Sequence, residues 1–157
     1  MLILTKASMV AWVKSLIDHP ITATDGPLYG AKAGLYTAIS PAASPDTEIT
    51  DLTEATGTGY ARQAVAWTGA YDDGAGAYVL SGVVTFAPGD AGTSILAIGY
   101  FLATMLTGGV LTAIEPFADS VPIVGALGAL SLAIQVKVPY TSDFGGDSLL
   151  NLSLIHI

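Results

Sequence analysis

His19 and His156 are the only imidazoles in the chain, and there is no cysteine. A hydrolytic triad needs a base within reach of an activated hydroxyl or thiol. His19 precedes Pro20, where a helix is expected to end, a place suited to contact with the last helical carbonyls. His156 lies in the last six residues. No G-x-S-x-G elbow, Walker loop or H-E-x-x-H pair occurs. Gly57-Thr58-Gly59 lacks the strand–helix context that phosphate binding requires. No catalytic and no cofactor-binding residue is therefore expected.

The densest polar set is acidic: Asp46, Glu48, Asp51 and Glu54. Alternating carboxylates on a flexible loop are the ligands calcium takes. Their spacing is not that of an EF-hand and no glycine sits at the bend, so a solvated connection is expected and no metal site is assigned. Asp72-Asp73-Gly74 reads as a hairpin turn. A carboxylate pair for glycoside hydrolysis remains compatible with the sequence, although acids in loops are the ordinary background. Arg62 is the sole arginine; it either pins the acidic Glu48–Glu54 segment through a bidentate carboxylate contact or stands exposed on the surface. Tyr36, Tyr60, Trp67, Tyr78, Phe86, Tyr100 and Phe101 fall mostly within β-like runs. They either pack in a core or subunit interface, or leave a solvent-facing subset as a sugar-binding surface.

The elements that must position these residues follow from composition and pattern. With 157 residues the length is that of one domain. The formal net charge is −8, and Lys6, Lys14, Lys32, Arg62 and Lys137 are scattered singly, which excludes a nucleic-acid binder. Apolar residues make up 52% and charged residues 11%, which excludes intrinsic disorder and points to a surface largely covered by neighbours. The uncharged run Ala91–Ile114 is long enough to cross a bilayer. It is diluted by glycines and threonines and flanked by Asp90 and Glu115, so a soluble protein without membrane partner is expected.

One helix is expected over residues 4–18, from Val10, Val13, Leu16 and Ile17 at helical spacing, with Thr5 or Ser8 as cap. It would seal a β core or dock on a neighbouring subunit. Strands are expected at Ala31–Ile39, Tyr60–Trp67, Ala77–Phe86, Ile95–Leu106 and Val110–Ile114, with Gly108-Gly109 as a turn. The clearest alternation is Leu132, Ile134, Val136 and Val138 against Ser131, Ala133, Gln135 and Lys137, a half-buried strand. Short strands punctuated by Gly and Pro, without intervening helices, predict a mainly β fold. The expectation is a single antiparallel β-sandwich or jelly-roll-like domain over residues 1–140 with one N-terminal helix. Residues 141–157 are expected to form an irregular tail. Its end, LSLIHI at 152–157, is either natural or the translated read-through of a sequencing adaptor.

The central block has a recognisable order: Leu35-Tyr36-Thr37, a Pro-containing loop, Glu48-Ile49, then Gly59-Tyr60-Ala61-Arg62-Gln63. Gly82-Val83-Val84-Thr85-Phe86-Ala87-Pro88, Ile98-Gly99-Tyr100-Phe101 and Thr107-Gly108-Gly109-Val110-Leu111 follow it. The order resembles a family of small tailed-bacteriophage virion proteins, over roughly Met1–Val138. The apolar stretch Ser120–Leu130 departs from the family pattern.

The resemblance implies a β-sandwich-like structural subunit without enzymatic activity. The expected role is a capsid cement or decoration protein that clamps neighbouring major capsid proteins on the virion surface, with homo-oligomeric or adjacent copies. The alternative is a tail or tail-fibre component that binds a host surface glycan. Arg62, Tyr60, Glu48 and Trp12 are the candidate interaction or loop-pinning residues.

Overall fold

The computed structural model describes residues 6–18 and 28–139. The cap at Thr5, the helix end at His19-Pro20, the loop at Asp25-Gly26-Pro27 and the tail over 141–157 with His156 lie outside the described residues.

The chain is mainly β, with two antiparallel sheets and one N-terminal helix, consistent with a β-sandwich. Helix α1 spans Lys6–Ser15. The strands are β1 (Lys32–Ile39), β2 (Leu52–Glu54), β3 (Gln63–Ala64), β4 (Trp67–Asp72), β5 (Gly76–Phe86), β6 (Ser94–Ala103), β7 (Leu111–Val124) and β8 (Leu130–Pro139). One sheet has the order β2-β1-β6-β7, with β3 also pairing β1; the other has the order β4-β5-β8. The described residues group into two compact units, 6–18 with 28–29, 66–83 and 133–139, and 30–65 with 84–132.

In the first unit, α1 buries Met9 and Val13 and stops three residues short of the expected end. The reason is local. Ser15 Oγ bonds back to the Trp12 carbonyl at 2.6 Å. The Leu16 N–H turns to the Val13 carbonyl at 3.2 Å, tightening the last turn. Strand β4 packs along α1, and the Trp67 indole N–H donates to the Leu28 carbonyl at 2.8 Å. Ser81 Oγ accepts the Ile134 N–H at 2.9 Å. Along β8, Ile134, Val136 and Val138 of this unit are buried in the expected alternation, as is Leu132 of the second.

In the second unit, β1 and β6 are the interior strands of their sheet. Their register places Gly34 opposite Phe101 and Tyr36 opposite Gly99. Each ring covers the glycine of its partner strand. A Cβ on Gly34 would come within 2.6 Å of the Phe101 ring, and a methyl on Gly99 would strike both Tyr36 and the Glu115 carbonyl. Glycine thus makes room for an aromatic ring that would otherwise have no flat surface to cover. Tyr36, Phe101 and Ala103 form a buried cluster, closed by Ile39, Ile49, Leu52, Ile98, Leu111 and Ile114.

Two expectations are corrected. The strand expected over Tyr60–Trp67 is only the two-residue β3, and a separate strand begins at Trp67. Strand β7 does not stop at Ile114 but continues to Val124 through Pro116 and Pro122. It lies at the sheet edge, where every second backbone N–H points away from the sheet and proline is tolerated. Its pairing with β6 jumps from Gly99↔Pro116 to Ala97↔Val121, so residues 117–120 bulge away from the ladder.

Candidate functional site

The site is built around Arg62, in the connection between β2 and β3. Gly59 adopts a left-handed backbone (φ 81°) and lies against the Pro88 carbonyl, where no side chain would fit. The chain there turns Tyr60 inward. Its hydroxyl accepts the Leu35 N–H at 2.8 Å and lies 3.2 Å from Glu54 Oε1; its ring stacks on Phe86. Burial pushes the Tyr60 phenol above its ordinary range, and the Glu54 carboxylate acts in the same direction.

Arg62 is then buried, with its side chain 3% exposed. Nε donates to Glu54 Oε1 at 2.8 Å and Nη2 to Glu54 Oε2 at 2.7 Å, a two-point fork on one carboxylate. Nη1 donates to the carbonyls of Met105 and Gly108, at 2.8 and 2.7 Å. The guanidinium carbon sits 5.0 Å from the Phe101 ring centre, the separation of a cation–π contact. A buried charge is tolerated only when paired and hydrogen-bonded, and Arg62 meets both conditions.

The carbonyls it holds belong to the β6–β7 turn, residues 104–110. Gly108 and Gly109 both have positive φ, and the turn closes through the Val110 N–H donated to Thr104 Oγ1 at 3.0 Å. Its backbone is fixed, yet its side chains are not covered: Met105, Leu106 and Val110 are 57%, 60% and 67% exposed. Between this turn and the 54–62 segment runs an open cleft of about 500 Å³, lined by Glu54, Tyr60, Arg62, Leu106 and Thr107 among others.

The structure therefore brings together Tyr60 and Arg62 and adds Glu54. It leaves Glu48 apart, on the surface, where its N–H is held by Asp51 Oδ2 at 2.8 Å. Trp12 belongs to the first unit, on α1, and is 47% exposed. Among the described residues no group of three His, Asp or Glu side chains converges as metal ligands, and no helix is long and apolar enough to cross a membrane. The two carbonyl acceptors and the uncovered apolar turn were not identified from the sequence. The available signal was the uncharged stretch Thr104–Val110 with its paired glycines, read only as a strand end and a turn.

Comparison with family models, with curated proteins and with solved structures finds no match to the chain.

Proposed function

We propose that the protein is a structural subunit of a virion, a capsid cement or decoration protein that clamps neighbouring major capsid proteins by non-covalent contacts. The observation that carries this reading is the β6–β7 turn, apolar and uncovered, with its backbone tied down by the one arginine. A fixed apolar element loses little further freedom on docking, so more of its burial appears as affinity.

Three further features support a clamp. The far end of the same β6–β7 pair carries a second uncovered apolar group, Leu96, Val124 and Leu127, with Leu127 98% exposed. The ten residues of β6 separate the two groups by about 30 Å, a span that lets one subunit touch two neighbours. The edges of the β2-β1-β6-β7 sheet are poorly suited to strand pairing: β2 has three residues, and β7 carries Pro116, Pro122 and a bulge containing Asp119. For this sheet, contact through its apolar ends rather than its edges is then the favoured mode, and repetition over a symmetric shell multiplies weak contacts. The resemblance of the Gly59–Gln63 block to phage virion proteins points the same way.

The test is binding of the purified protein to capsids that lack it. Leu106→Asp and Leu127→Asp, both at uncovered positions, should leave the fold intact and each weaken capsid binding by about tenfold or more. Unaltered binding of both variants would contradict the clamp. Binding to tails or to a host glycan, with none to capsids, would favour the tail component.

A further inference from the structure

Two methionines lie among the described residues, in opposite environments. Met9 is 6% exposed, on the inward side of α1, whereas Met105 is 57% exposed, the second residue of the docking turn. The Met105 carbonyl is held by Arg62 Nη1 at 2.8 Å, so its backbone is fixed while much of the residue faces solvent. We propose that Met105 is an oxidation site through which peroxide controls docking of the turn. The docking part of this inference rests on the reading of the turn as a capsid contact.

The chemistry is a two-electron oxygen transfer from hydrogen peroxide. The thioether sulfur attacks one peroxide oxygen, the O–O bond breaks as the S–O bond forms, and the other oxygen leaves as water, taking up the proton that the transferred oxygen gives up. Sulfur is oxidised and peroxide is reduced. The product replaces a flexible apolar side chain with a polar, chiral one. Beside Leu106 and Val110 that polar group has to be desolvated when the turn is covered, which opposes burial. A docked turn shields the sulfur, so oxidation acts on the free subunit.

The experiment treats the purified protein with hydrogen peroxide, maps oxygen uptake by peptide mass spectrometry and measures capsid binding on the same samples. Met105 should gain one oxygen about tenfold faster than Met9. Capsid binding should fall about tenfold and return after treatment with methionine sulfoxide reductases. Met9→Leu should still lose binding on peroxide treatment, whereas Met105→Leu, whatever its starting affinity, should lose none further. Equal oxidation of Met9 and Met105 overturns the site; oxidised Met105 with undiminished binding overturns the control of docking. An untreated protein that binds no capsid overturns the proposed function and this control with it, while the mass map still decides the oxidation site.

Discussion

Glu54 and Arg62 face each other across a two-point hydrogen-bonded pair of 2.7 and 2.8 Å, with the arginine side chain 3% and the glutamate 31% exposed. The pair joins the end of β2 to the start of β3, and the remaining donors of Arg62 reach the β6–β7 turn. One side chain thus ties three backbone segments, and the geometry depends on a planar fork that lysine does not have.

Arg62→Lys is accordingly expected to cost about 2 kcal/mol, because an ammonium cannot serve the carboxylate and both carbonyls together. Urea denaturation measures the loss. Limited proteolysis should show faster cleavage within residues 104–110. Unchanged protease resistance there would show that the turn holds itself.

Gly99→Ala adds a methyl against the Glu115 carbonyl and the Tyr36 ring, and neither a backbone atom nor a buried ring gives way cheaply. We expect about 3 kcal/mol of destabilisation by thermal or denaturant unfolding. Gly92→Ala is the control: its methyl would meet only Asp90 Oδ1, at 3.5 Å, and the change should be nearly neutral.

Asp73 lies 2.5 Å from Lys137 Nζ and accepts the N–H groups of Ala75 and Gly76. The lysine hydrogen bond holds its carboxyl below the ordinary 3.8, with the backbone N–H groups adding to the effect. A depressed carboxyl stabilises the fold fully above its unfolded pKa, and the contribution disappears as pH falls through the folded value. The unfolding midpoint should therefore drop below about pH 4. Asp73→Asn should flatten that part of the profile, and an unchanged slope would contradict the assignment.

Tyr36, Tyr60 and Tyr100 behave in the opposite sense. Burial raises all three phenols above the ordinary 10.0, with Glu115 adding to the effect at Tyr36 and Tyr100. Their neutral forms are favoured in the fold, so the stability they contribute is complete below pH 10 and is lost as pH rises beyond it. Ultraviolet titration should show tyrosinate from these residues appearing together with unfolding, not before it.

The half-buried strand β8 was legible because one face is buried and the other wet, which writes a period of two into Leu132–Val138. The Gly108-Gly109 turn was legible because two adjacent positive-φ positions need glycine. Tyr60–Trp67 misled, since Tyr and Val are strand-forming wherever they lie, and here Tyr60 instead reaches back to β1 from a loop. Prolines 116 and 122 concealed the length of β7, because only the topology reveals that it is an edge strand. Arg62 suggested a carboxylate partner by its chemistry, whereas Met105 and Gly108 bind it through carbonyls that every residue carries, so no side-chain pattern marks them.

A repeated clamp on a capsid shell, as proposed, would be present in many copies, and copy number measures that most directly. Quantitative mass spectrometry of purified virions, with the major capsid protein as reference, should find it at a ratio near that of the capsid protein. A small fraction of that ratio, or absence from the particle, would contradict the account.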